Sequence, residues 1–303
     1  MPIAPLQSRR VLGVRLDATS YADLTARVIA WAHARESRYV VFSTVSAVMG
    51  ARASIQAPVQ PLFQTPSRHH NTTNSPQIAT NTHTLNNPEI CGPRPLESIT
   101  SSTYFDVIEN ADLVTADGMP LVWMLRKLGI PSASRVYGPD ATPLILQAAE
   151  REGLPVGFYG GTAPVLDRLL ALVHHRYPQL QVNYAFAPPF RPLTPAEDLE
   201  VVEKITSSGI RILFVGLGSP KQDIWNQSHR GTLPCVMLGV GAAFDFLSGH
   251  KPQAPKWMQR NGLEWLFRLA TEPRRLGKRY LRHNPHFAVR AIWQLLTKQG
   301  VNP

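Results

Sequence analysis

Apolar and polar positions alternate along this chain with a period that switches repeatedly between about two and about 3.6. The run Val11 to Leu16 predicts a strand, and Thr19 to Ala34 predicts an amphipathic helix. Tyr39 to Ser43 reads as a second, buried strand leading into a helix near Val45 to Arg52. Further strands are predicted at Ala111 to Thr115, Pro155 to Tyr159, Gln181 to Phe186, Ile210 to Val215 and Pro234 to Leu238. Helical patterns at Met119 to Leu128, Ala141 to Arg151, Ala163 to Arg176 and Pro195 to Ser208 separate them. Strands and helices in this alternation predict an α/β fold with a mostly parallel sheet covered on both faces.

One stretch breaks the pattern. Ala53 to roughly Thr100 is dense in Pro, Thr, Asn, Ser and Gln, with charges only at Arg68, Glu89, Arg94 and Glu97. Such a segment cannot bury enough apolar surface to offset its ordering entropy, so a disordered insertion is expected. His69, His70, His83 and Cys91 within it match no familiar zinc spacing. The 303 residues, 44% of them hydrophobic, then suffice for one main domain with additions.

Charge singles out the C-terminus. Residues 251 to 303 hold eleven Lys or Arg against Glu264 and Glu272, which is +9 of the formal +10. These cations are interleaved with Trp257, Trp265, Phe267, Tyr280, Phe287 and Trp293. A basic and aromatic surface suits anionic lipid or nucleic acid, and a solvated helical face over an aromatic core satisfies the same pattern. Arg275, Arg279 and Arg282 fall four and three residues apart, along one helical face. Two separated cysteines, Cys91 and Cys235, imply no disulfide framework. Without an apolar signal core or a run of eighteen apolar residues, the expectation is a cytoplasmic chain that touches a membrane without crossing it.

Candidate chemistry gathers where predicted strands run into turns. Ile212 to Gly216 leads to Gly218, Ser219, Pro220, Lys221 and Gln222, and Cys235 to Gly239 leads to Gly241, Phe244 and Asp245. Small-residue turns before helices let a phosphate reach backbone amides, and two neighbouring ones suggest a shared pocket. Lys221 can meet phosphate charge and Gln222 can pair with sugar hydroxyls; a Pro-started helix with solvated polar groups is the plainer reading. Gly160 and Gly161 form another such turn. Asp117 ends a predicted strand, where it can act as a general base or cap the following helix. Arg135 can clamp a phosphate, while Asp140 is read as the cap of the helix near Ala141. The spacing fits neither a Walker A loop nor the full dinucleotide fingerprint, which disfavours ATP hydrolysis and hydride transfer. No Asp-x-Asp pair occurs, so a nucleotide-sugar enzyme built this way would stabilise its leaving diphosphate with amides and cations.

Taken together these blocks resemble the WecG/TagA/CpsF family of bacterial glycosyltransferases. The resemblance runs in order through Ala111 to Trp123, Arg135 to Asp140, Phe158 to Gly161, Pro188 to Arg191, Phe214 to Gln222, Gly239 to Asp245 and Ala254 to Met258. It continues through Gly262 to Leu269, Glu272 to Leu276, Arg279 and Tyr280. It implies an α/β, Rossmann-like core over residues 1–250, interrupted at 53–100, with a basic helical appendage over 251–303 that meets acceptor and membrane. It also implies inverting, metal-independent transfer of a sugar, of N-acetylmannosamine type in the best-known members, from a UDP-sugar to a polyprenyl-diphosphate-linked sugar, without a cofactor. The family base falls on Asp117 and the family glutamine on Gln222, and substrate contacts are expected from Gln222, Thr44, Arg135, Gly160, Gly161, Gly216, Gly218, Lys221, Gly241 and Asp245. Arg268, Arg275, Arg279 and Arg282 are expected to meet the lipid diphosphate and an anionic membrane, which decides against nucleic acid. Ser43 to Ser46 replaces the Asn-Val-His or Thr-x-Asn of many members, and Asp223 replaces a glutamate. Glucose, galactose or glucuronic acid donors, or a non-catalytic UDP-sugar-binding scaffold, are the alternatives; oligomeric state is left open.

Overall fold

The computed structural model describes residues 5–55 and 103–297. Residues 56–102, most of the predicted insertion, lie outside them, as do His69, His70, His83 and Cys91. Two strands, β1 (Ser8–Val11) and β2 (Val14–Asp17), form an antiparallel hairpin. The sequence pattern predicts a single strand there. The reversal falls at Leu12 and Gly13, both at positive φ, and the apolar run conceals it because Val11, Leu12, Val14 and Leu16 are all buried.

Next come α1 (Tyr21–His33), β3 (Arg38–Ser43) and α2 (Val45–Ser54), the last running two residues past its expected end. The chain resumes with α3 (Tyr104–Glu109), β4 (Leu113–Ala116), α4 (Met119–Lys127), α5 (Gly138–Arg151) and β5 (Val156–Gly160). It continues through α6 (Ala163–Arg176), β6 (Val182–Phe186), α7 (Pro195–Ser207), β7 (Ile212–Gly216), α8 (Lys221–Ser228), β8 (Val236–Gly239) and α9 (Ala243–Leu247). The C-terminal appendage is α10 (Lys256–Arg260), α11 (Glu264–Thr271) and α12 (Pro273–Leu296).

Strands β3 to β8 form one six-stranded parallel sheet in the order β4-β3-β8-β7-β5-β6. It is buried on both faces, so its central strands are continuous apolar runs whose side chains alternate between two cores. Tyr39, Val41, Leu213, Val215 and Met237 pack toward α2, α3 and α8. Val40, Phe42, Ile212, Phe214, Val236 and Leu238 pack toward α1, α5, α6 and α9. Parallel pairing brings every strand's C-terminal end to the same edge, which collects the candidate residues.

The appendage is tied to this core by residues far apart in sequence. Gln294 of α12 is buried; its side-chain carbonyl accepts from Leu12 N at 2.9 Å and its amide donates to Arg10 O at 2.7 Å. Phe287 and Ala291 enter the core beside α2. Lys256 pairs with Asp140 at 3.0 Å, and Lys251 bridges Asp245 at 3.2 Å and Glu272 at 2.8 Å. A methyl group on Gly262 would lie 2.9 Å from the Trp123 ring, so backbone approaches α4 here closer than any side chain allows.

Candidate active site

Strand β4 delivers Asp117 to the sheet edge, and the backbone rules out the capping reading. Helix α4 is capped by Gly118, without a side-chain cap bond, so Asp117 is not the cap of that helix. Asp140 is not a cap either. Helix α5 starts at Gly138 with Tyr137 as N-cap, which puts Asp140 in the first turn, paired to Lys256. Thr44 caps α2, its hydroxyl accepting from Ala47 N at 3.2 Å.

Asp117 opens onto a cavity of about 560 Å³ between the β3–β4 edge, α4 and the appendage. Thr44, Arg135, Arg268 and Arg279 share its wall, as do Glu264, Tyr280 and Asn284, which the sequence reading did not select. Its lining also includes the apolar side chains Met119, Trp123, Phe287, Ala291, Ile292 and Leu295. In the sequence Glu264 is one of two acidic residues in a basic C-terminal stretch. Its partner is 129 residues away, and no local pattern encodes that.

Arg135 is spent within the protein rather than held open as a phosphate clamp. Its Nε donates to the Asp117 carbonyl, and its terminal nitrogen reaches Glu264 at 2.5 Å and the Asp117 carboxylate at 3.5 Å. The guanidinium stacks 4.1 Å from the Tyr137 ring centre. Burial pushes the Asp117 carboxyl up to about 7; Arg135 opposes the shift, and the Glu264 charge adds to it. The side chain keeps 14% of its surface accessible. A carboxylate with this affinity is matched to proton transfer near neutral pH.

The arginines expected at the lipid diphosphate divide into two groups. Arg268 and Arg279 line the cavity, and neither forms an ion pair with the described residues. Arg279 Nε is buried without a hydrogen-bond partner. Arg275 and Arg282 are exposed outside the cavity, with Arg275 paired to Glu272 at 2.7 Å.

The glycine turns are elsewhere. Gly160, Gly161, Gly216, Gly218, Lys221, Gln222, Gly241 and Asp245 gather around the ends of β5, β7 and β8, and none lines the cavity. Much of the space their missing side chains leave is filled by the protein itself. A methyl group on Gly160 would meet the Gly216 carbonyl carbon at 2.6 Å, and one on Gly216 would meet the Phe244 ring at 2.6 Å. Gln222 is buried rather than turned to a ligand: Gly218 N donates to its Oε1 at 3.0 Å, and its Nε2 donates to Gly239 O at 2.5 Å. It ties one glycine turn to the other. Asp223 is buried beside it and accepts from the Tyr104 hydroxyl at 2.8 Å, a partner the sequence reading missed. Lys221 is exposed, and Asp245 is held by Lys251.

The model of the glycosyl transferase WecG/TagA/CpsF family matches residues 91–300. The chain belongs to this family. A WecG/TagA/CpsF protein is a glycosyltransferase, as the resemblance implied, and its parallel α/β core is the fold expected. The chain is also similar to an N-acetylglucosaminyldiphosphoundecaprenol N-acetyl-β-D-mannosaminyltransferase of Bacillus spizizenii. The two are 31% identical over 191 residues, 62% of this chain and 70% of the relative. As a glycosyltransferase this chain has to bring a sugar donor and an acceptor together. Asp117 is the carboxylate at the sheet edge with an open cavity before it. Among the described residues no three His, Cys, Asp or Glu side chains converge on a metal-sized site.

Proposed function

We propose that this glycosyltransferase moves a sugar of N-acetylmannosamine type from its UDP donor to a polyprenyl-diphosphate-linked sugar, with inversion and without a metal. The observation that carries this reading is Asp117, a carboxyl pushed up to about 7 in a cavity that also holds the unpaired Arg268 and Arg279. Asp117 takes the proton of the acceptor hydroxyl. The hydroxyl oxygen bonds to the anomeric carbon as the bond from that carbon to the donor phosphate breaks, and UDP leaves with the electron pair. Attack opposite the leaving group inverts the anomeric centre. Arg268 and Arg279 bind diphosphate charge, and the apolar lining of Trp123, Phe287 and Leu295 suits an acceptor with a hydrocarbon tail. The relative's name, which joins an N-acetylmannosaminyl donor group to a diphosphoundecaprenol acceptor, supports both substrate classes.

The enzyme works at a membrane surface, on the inner leaflet. No helix among the described residues is long and apolar enough to cross a bilayer. Along α12, however, Leu281, Val289, Ile292, Trp293 and Leu296 form an exposed apolar stripe, 58–77% accessible, beside Arg282 and Arg290. Apolar side chains enter the acyl boundary while the arginines meet anionic headgroups.

The deciding experiment incubates purified protein with a panel of UDP-sugars and a short-chain prenyl-diphosphate N-acetylglucosamine, with EDTA present. Acceptor-dependent UDP release with the matching gain in glycolipid mass is expected and names the sugar. Asp117→Asn should lose about 10²–10⁴-fold in kcat while remaining folded. Near-normal turnover in that variant removes Asp117 from the chemistry, and a strict need for a divalent cation overturns the metal-free reading.

A further inference from the structure

One acidic side chain in the cavity has no part in the transfer just described. Glu264 is the first residue of α11, and its carboxylate takes the terminal nitrogen of Arg135 at 2.5 Å, leaving Asp117 at 3.5 Å from the same nitrogen. Only 13% of its side-chain surface is accessible. The turn before it is seated by the contact of Gly262 with Trp123 and by the pair Lys256–Asp140.

We propose that Glu264 is a positioning residue for the transfer: by holding Arg135 at the shorter distance, it keeps that cation from neutralising the Asp117 carboxylate, so the base reaches its working strength only while the appendage is docked. This inference rests on the assignment of Asp117 as the base.

An Asp alone with an arginine is a weak base, because the cation favours its ionised form. A second carboxylate on the same guanidinium divides that stabilisation and adds its own repulsion. Other charges also face Asp117. Arg268 on α11 and Arg135 before α5 favour its ionised form; Glu264 and burial oppose it. Tyr137, Arg279 and Tyr280 line the same cavity, Lys127 of α4 lies on its wall, and Tyr21 of α1 is close enough to sense the Asp117 charge. Among these groups Glu264 is the acidic one, and it belongs to the appendage. Withdrawing α11 therefore removes burial and carboxylate together, which weakens the base, and the loss of Arg268 offsets only part of that change.

The test is the pH dependence of kcat/KM in two single variants of the full chain. In Glu264→Gln, Arg135 turns to Asp117, and the acidic limb should move to lower pH by about one unit. In Arg135→Gln, Asp117 loses its counter-ion and faces Glu264 alone, so the limb should move to higher pH. Glu264→Asp retains the charge and should keep the limb close to its original position, which also covers a Gln variant that fails to fold. Limbs that stay in place, or that move the same way in both Gln variants, overturn the proposal, since a merely structural contact lowers activity without opposite shifts. If Asp117→Asn is inactive while the Glu264→Gln limb is unmoved, only this inference fails. If Asp117→Asn keeps its turnover, the base assignment fails first.

Discussion

The two ends of the sheet's carboxyl edge carry similar sequence signals and are filled in opposite ways. Over β5, β7 and β8 the glycine turns close on themselves, with Phe244 against Gly216 and Gln222 bonded across two turns. Over β3 and β4, Asp117 and Thr44 face about 560 Å³ of open space roofed by the appendage. Small residues at strand ends therefore have two uses. They let a ligand approach the backbone, or they let the backbone approach itself, and composition does not tell these apart. What separates the two ends is which element covers them: α9 packs Phe244 into one, whereas α11 and α12 bridge the other and leave a hollow.

That contrast can be broken by substitution at the closed end. Gly160 has φ +126 and no room for a methyl group, so Gly160→Ala should cost about 2–4 kcal/mol in urea unfolding. Gly218, at φ +79 with nothing within 4 Å, should cost only about 1 kcal/mol for the same change. Equal losses would mean that close packing does not distinguish the two turns. Gln222→Ala orphans Gly218 N and Gly239 O and should cost about 1–3 kcal/mol. A stability unchanged in Gln222→Ala, with donor affinity lost, would return this residue to direct ligand binding.

At the open end the expected effect on stability depends on pH. The folded Asp117 carboxyl holds its proton up to about 7, against 3.8 for a free one. The folded state therefore gains from this proton at low pH and loses that gain as pH rises from about 4 through 7. Asp117→Asn should melt above the parent at pH 8, with the difference closing by pH 4. A variant less stable than the parent at pH 8 would show that the Arg135 and Arg268 charges outweigh burial at this carboxylate.

Sequence by itself located the strands of the sheet and most of the helices packed on it. Period and turn residues located α6 to the residue and every sheet strand to within two or three positions, because backbone hydrogen bonding and side-chain alternation are local. The family was legible for a similar reason, since its motifs are short contiguous turns at strand ends, and so was the place of Asp117 at the end of β4. The hairpin at Leu12 and Gly13 escaped because burial on both sides of the turn erased the change of pattern. Tertiary structure alone decided which side chains face inward. Gln222 ties two turns together, Arg135 is shared between two carboxylates, and Glu264 lies beside Asp117. Each outcome depends on contacts across many residues, 129 of them between Arg135 and Glu264, that form only when the appendage closes over the sheet edge and one carboxylate is buried beside another.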